Sequence, residues 1–356
     1  MARINLENLG FVYPGAESAT LDGLNLTIAD GEAHALLGAS GAGKTTLLNI
    51  LSGLLTPTSG ALRFDDKDVS RQSGRLRNVA QVFQFPVLYE SLSVAENLAF
   101  PLKTRKAPEN LIRDRLDYIC DELHIGDLRA LKPAALSLFQ KQLIAVGKAL
   151  VRPDVSLVLL DEPLTAVEPR TKWRLRQTLR RVQADLKVTM IYVTHDQTEA
   201  LTFADRVSVL TAGGILQTGT PEQVYNSPEH EFVGHFVGSP GMNFLPAKAL
   251  GINDADRAGF RPEWAVLSRA NSTPSTAPAN STGIGHITGK ILRIRVQGAQ
   301  AGKPFGLLTV ATDHGEVAVR GEFPDAAVSA GDRLHMQLTR CIAYTDQRKV
   351  SDIELL

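Results

Sequence analysis

Eight residues, GASGAGKT from Gly38 to Thr45, carry the strongest chemical pattern in this chain of 356 residues. They lie between the apolar run AHALL and the helical run TTLLNILSGL, the strand–loop–helix context in which such glycines cradle a phosphate. Gly38, Gly41 and Gly43, with the small Ser40 and Ala42 between them, let backbone N–H groups curl around phosphate oxygens. Lys44 can reach the outer phosphates, and the Thr45 hydroxyl can bind Mg2+. The helix entered through Thr46 turns its positive N-terminal end toward the same anion. A second stretch, SLVLLDEP, ends an apolar strand in Asp161, a carboxylate suited to a site near Mg2+. Glu162 follows and can orient and polarise an attacking water. Alone this is a strand with a polar turn; beside the glycine loop it reads as phosphoanhydride hydrolysis.

Three further residues are individually ambiguous. His195, in YVTHDQTEA, ends another apolar run and can hydrogen-bond a γ-phosphate or the attacking water, although a lone histidine there is more often structural. Gln84, in QVFQFP, can offer an amide to Mg2+ or water. Tyr13 can stack on an adenine or simply pack on a sheet edge.

The elements that must position these groups alternate. Residues 33–37, 78–83, 157–160 and 189–193 read as buried strands, and 44–54, 108–123, 137–150 and 169–186 as helices, which implies a largely parallel sheet covered by helices. After Gly238 the helical period fades. Short β-rich runs at 286–296, 306–311, 316–320 and 333–338 suggest a small β-barrel or sandwich. NSTPSTAPANSTG, residues 271–283, reads as a loop within that second domain. Lys plus Arg and Asp plus Glu both number 38, so the basic excess of a nucleic-acid binder is absent. The Arg-rich WRLRQTLRR reads instead as the solvated face of an amphipathic helix. Cys120 and Cys341 have no metal-ligand companions and read as structural thiols in a reducing compartment. No apolar run approaches the ~18 residues of a membrane span, and MARINLENLG lacks the apolar core of a signal peptide. A cytoplasmic protein that meets a membrane only through a partner is the expectation.

Taken in order and spacing, Tyr13, GASGAGKT, Gln84, LVLLDE and His195 resemble the ATPase domain of ABC transporters over about the first 235 residues. FVGSPGMNFLPA and RPE (Arg261–Glu263) resemble the carbohydrate-importer branch, whose ATPases carry a C-terminal oligosaccharide-binding-like β domain. NVAQVFQFPVLYESLSVAENLAFPL and MIYVTHDQTEALTFAD are similar to one ATPase subunit of bacterial glycerol importers. The resemblance implies a P-loop α/β domain over 1–238, with a helical signature subdomain at 85–150, followed by an OB-like β domain over 239–356. It implies ATP and Mg2+ as cofactors, with Thr45, Gln84 and Asp161 at the metal and Lys44, Gln84, Glu162 and His195 in catalysis. It also implies two permease partners docking near Gln84–Leu102, an extracytoplasmic solute-binding protein acting through them, and a peripheral place on the cytoplasmic side of the bacterial inner membrane. The alternatives are a cytoplasmic ABC ATPase without transport work and a non-hydrolysing regulatory subunit.

One segment departs from the family. Where its signature reads LSGGQ, this chain reads LSLFQ. Ser137 and Gln140 form a capping box and remain available to a nucleotide in the opposite subunit, but Leu138 and Phe139 replace both glycines. A β-carbon at a left-handed position costs about 1–2 kcal/mol, and a phenyl ring offers phosphate no hydrogen bond. Glu168, in TAVEP, stands where the family has aspartate. The expectation is a heterodimer: this chain supplies the competent catalytic face, and a second ATPase with an intact signature seals it. The alternative is a homodimeric sugar or glycerol-phosphate importer ATPase.

Overall fold

The structure, a computed structural model, describes residues 2–269, 284–300, 303–323 and 328–355; the expected loop at 271–283 lies outside them. In chain order the first part contains β1 (Ile4–Phe11), β2 (Leu21–Ile28), β3 (Ala33–Gly38), α1 (Lys44–Ser52), β4 (Ser59–Phe64), β5 (Lys67–Asp68), α2 (Gly74–Arg77) and β6 (Val79–Val82). It continues with α3 (Val94–Thr104), α4 (Glu109–Glu122), α5 (Leu138–Leu150), β7 (Leu157–Asp161), α6 (Pro169–Leu186), β8 (Met190–Thr194), α7 (Gln197–Phe203), β9 (Arg206–Thr211) and β10 (Gly214–Gly219). β3, β7 and β8 are buried along almost their whole length, as strands covered on both faces must be. They lie in a six-stranded sheet of order β10-β9-β3-β8-β7-β6, parallel except where β10 returns beside β9. An antiparallel sheet, β2-β1-β4-β5, shares with this sheet and α1 a core that includes Leu9, Leu21, Leu36, Leu47, Leu159 and Val193.

The buried histidine of this core is paired on both ring nitrogens. His34 is fully buried; its Nδ1 meets Glu32 Oε1 at 2.7 Å and its Nε2 meets Ser208 Oγ at 2.8 Å. The order carboxylate–imidazole–hydroxyl resembles a nucleophile relay, but Ser208 is also fully buried, so the chain of bonds satisfies a core histidine. Helix ends lie within a residue or two of expectation for identifiable reasons. α1 stops at Ser52 because Gly53, at φ 81°, turns back to the carbonyls of Asn49 and Ile50. β6 starts at Val79 because Asn78, at φ 53°, ends α2.

Compact units divide the chain at Met1–Pro221 and Glu222–Leu356. The second holds most of α8 (Pro221–Asn226), then α9 (Glu231–Phe236), β11 (Asn243–Pro246), β12 (Arg257–Phe260), β13 (Ala265–Arg269), β14 (His286–Gln300), β15 (Lys303–Thr312), β16 (Gly315–Glu322), β17 (Arg333–Leu338), β18 (Arg340–Thr345) and β19 (Arg348–Glu354). Its strands form antiparallel sheets β11-β12-β18-β19 and β13-β17-β14-β15-β16. The edge strands β13 and β16 of the second sheet touch, so it curls toward the expected barrel. Residues 222–238, expected with the first domain, pack here because the buried Arg261 donates to the carbonyls of Tyr225, Gly234 and Val237 and lies over the Tyr225 ring. Both cysteines are free and buried, and burial pushes the Cys341 thiol up to about 11. Among the described residues no helix is long and apolar enough to cross a membrane.

Candidate active site

The phosphate loop leaves the C-terminal end of β3 and feeds α1, whose first turn has no side-chain cap, so its amides are open to an anion. Gly41 and Gly43 adopt φ 83° and 91°. A β-carbon at Gly43 would stand 2.6 Å from Leu21 Cδ2 and 3.0 Å from the Thr20 carbonyl, so only glycine fits. Ser40, Gly41, Gly43, Lys44, Thr45, Thr46, Thr20 and Glu162 line a cleft of about 270 Å³. Gly38 and Ala42 are buried beneath it. The Lys44 ammonium donates to the carbonyls of Gly38 at 2.7 Å and Ala39 at 2.9 Å. Burial pulls its pKa down, opposed by Glu162 and Asp161, which keep a positive charge at the mouth of the loop.

β7 delivers the carboxylates. Burial, and then the neighbouring Glu162, push Asp161 up, while Lys44 opposes. Glu162 has φ 44°, a left-handed conformation that costs a side chain about 1–2 kcal/mol. It is held there by its amide on the Val193 carbonyl at 2.9 Å, by the Thr165 amide on its own carbonyl at 3.1 Å, and by Thr165 Oγ1 on Oε2 at 3.1 Å. His195, at the end of β8, places Nδ1 3.1 Å from Glu162 Oε1. The ambiguous histidine thus faces the carboxylate rather than the core. The hard oxygens of Thr45 and Asp161, with the raised pKa of a carboxylate that lacks enough compensating charge, fit Mg2+. The open amides and Lys44 fit a polyphosphate.

The remaining residues divide. Tyr13 donates to or accepts from Thr46 Oγ1 at 3.1 Å and meets Phe11 edge-on, yet its ring is 41% exposed and stays available for stacking. Gln84 follows β6, whose register sets Val82 beside Leu160, so its backbone is carried to the same sheet edge as Asp161, although Gln84 does not line the cleft. Neither do Ser137 and Gln140. They form the expected capping box: Ser137 Oγ accepts from the Gln140 amide at 3.2 Å, and Gln140 Oε1 accepts from the Ser137 amide at 2.8 Å.

The expected strain at Leu138 and Phe139 is not found. Both lie in the first turn of α5, and neither has a positive φ, because the glycine positions here are helical. The departure acts through side-chain bulk: Leu138 is exposed, and Phe139 lies under the Arg174 guanidinium at 5.8 Å. Glu199, close after His195 in the chain, was not singled out by sequence; it is buried and bonded to Thr194, the residue before His195.

A glycine-lined phosphate cleft at the end of a parallel sheet, facing a carboxylate–histidine pair, defines an ATP-hydrolysing P-loop domain. The family model described as ABC transporter matches residues 21–165, and the chain belongs to that family as an ATP-binding subunit. It is 44% identical over 268 residues to the sn-glycerol-3-phosphate import ATP-binding protein UgpC 1 of Rhizobium etli, covering 74% of this chain and 76% of the relative. It is 42% identical to the trehalose import ATP-binding protein SugC of Mycobacterium tuberculosis, over 71% of this chain and 64% of that one. The cbiO1 structure from Clostridium perfringens, part of the ABC transporter complex cbiONQ, is 31% identical with a TM-score of 0.59, over 63% of this chain and 90% of that one. The protein is therefore an ABC importer ATPase of the carbohydrate and glycerol-phosphate branch, in which ATP hydrolysis is coupled to transport.

Proposed function

We propose that this chain is the catalytically competent half of a heterodimeric ATPase motor in a bacterial importer of a small polyol, glycerol foremost. The observation that carries the asymmetry is the contrast between the ordered Glu162–His195 pair and the first turn of α5, where Leu138 and Phe139 stand in place of a bare backbone. Lys44 and the loop amides hold the phosphates, Thr45, Asp161 and Gln84 hold Mg2+, and Tyr13 stacks on the base. Glu162 orients and polarises the attacking water, and His195 fixes Glu162 and touches the γ-phosphate. Mg2+, when bound, neutralises charge developing on the transferred group. Ser137 and Gln140 reach into the second subunit's site, which the bulk of Leu138 and Phe139 leaves degenerate.

Two permeases are the membrane partners, and an extracytoplasmic binding protein acts through them, so the chain sits peripherally on the cytoplasmic face of the inner membrane. A groove of about 650 Å³ that includes Phe83, Val87, Phe100 and Lys148 supports docking at 84–102. The solute never touches this chain. Relatives named for sn-glycerol-3-phosphate, trehalose and xylose/arabinose import all concern polyhydroxylated solutes, and the glycerol-importer resemblance of residues 78–102 and 190–205 favours glycerol.

The purified chain alone should hydrolyse ATP slowly. Co-expression with a second ATPase bearing LSGGQ should restore turnover, and Lys44→Ala in this chain should remove it. Brisk hydrolysis by the pure homodimer overturns the heterodimer. Uptake of labelled glycerol, compared with sn-glycerol-3-phosphate, in cells lacking the chain tests the solute.

A further inference from the structure

Four residues downstream of His195 lies a buried carboxylate. Glu199 is 3% exposed, in the first turn of α7. A carboxylate so buried is costly unless several donors surround it, and here three donors come from two elements, β8 and α6. Thr194 Oγ1 donates to Glu199 Oε2 at 2.8 Å, and the Tyr192 hydroxyl donates to the same oxygen at 3.1 Å. Lys172 Nζ, on α6, reaches Oε1 at 3.4 Å. Burial and Glu199 together raise the Tyr192 phenol, so it stays a donor.

The bonds continue around His195 on both sides. Thr194 Oγ1, which donates its hydrogen bond to Glu199, accepts from the Asp196 amide at 3.0 Å. Asp196 Oδ1 accepts from the amides of Thr198 and Glu199 at 2.8 and 3.1 Å. The backbone before and after His195 is therefore clamped, while the imidazole itself remains half exposed beside Glu162. Lys172 stands one turn into α6, whose first residues follow Glu168, so the clamp also ties His195 to the helix that leads out of the TAVEP turn.

We propose that Glu199 is a positioning residue for hydrolysis: through Thr194 and Asp196 it sets the His195–Glu162 geometry, and through Lys172 it makes that geometry follow α6. The proposal rests on the catalytic reading of Glu162 and His195 given above. A displacement of about 1 Å at a reacting group can cost about a hundredfold in rate, which sets the size of the expected effect.

The test uses the assembled transporter, isolated through a tag on this chain, with kcat, KM for ATP and melting temperature measured together. Thr194→Val keeps shape but breaks both bonds of the clamp; it should lower kcat by about a hundredfold while KM stays within about twofold. Glu199→Ala should do the same, and Glu199→Gln, which still accepts from Thr194, should recover most of the rate. Lys172→Met should lower kcat in the parent yet add nothing in the Glu199→Gln background. Parent-like turnover by Thr194→Val, or a rise in KM that accounts for the loss, overturns the proposal; if Glu199→Ala does not fold, Thr194→Val decides. Glu162→Gln in the same preparation separates the two readings. If Glu162→Gln hydrolyses ATP normally, the catalytic assignment itself has failed.

Discussion

Asp161 and Glu162 are adjacent in sequence but differ in environment. Asp161 is pushed up by burial and by Glu162, while Glu162 leans on His195 and Thr165. A protonated Asp161 cannot hold a divalent cation, so Mg2+-dependent nucleotide binding should fail on acidification at a higher pH than an ordinary aspartate allows. More Mg2+ should move that limb to lower pH, because metal and proton compete for the same oxygens. Glu162→Gln removes one of the two upward influences and should also move the limb down, while lowering turnover by about 10²–10⁴-fold with nucleotide retained. A fluorescent nucleotide titrated against pH at two Mg2+ concentrations reads both effects. An unmoved limb in the variant counts against the proposed metal role of Asp161.

At the scale of elements, the proposed asymmetry rests on the first turn of α5. Its Ser137–Gln140 capping box is intact, and removal of such a cap costs about 1 kcal/mol. Leu138→Gly with Phe139→Gly should raise hydrolysis by the chain alone at least about tenfold, a gain of about 1.4 kcal/mol in transition-state binding. It should also lower the melting temperature, since each glycine weakens a helix by about 1 kcal/mol. Unchanged turnover by the refolded double variant places the defect elsewhere, with Glu168 the next residue to replace.

The capping box and the strand–loop–helix around Lys44 were legible in the sequence because both are local patterns. The left-handed Glu162 was not, because bonds from Val193 and Thr165 impose it across strands. The helical dihedrals of Leu138 and Phe139 were not legible either, because a glycine pair suits a bare helical first turn as well as a left-handed backbone. Glu199 escaped notice because its donors arrive from β8 and α6, and only the fold brings them together.

On the scale of the whole molecule, the chain is two compact units with separate cores. Arg261 closes the second by gathering carbonyls of Tyr225, Gly234 and Val237. Arg261→Met should cost that unit about 2–4 kcal/mol, the scale of leaving buried acceptors unpaired. Calorimetry should show one transition shifted and the other unmoved; a parallel shift of both transitions tells against a local role.

The two tryptophans of the chain fall one to each unit. Trp173 is 59% exposed on α6, whereas Trp264 is half-buried against the second core with the Arg340 guanidinium 4.9 Å from its ring. The indole on α6 is the more exposed of the two, so the larger part of the red shift of native fluorescence during denaturation should come from the β unit, and the molecule should report the melting of that half without a dye.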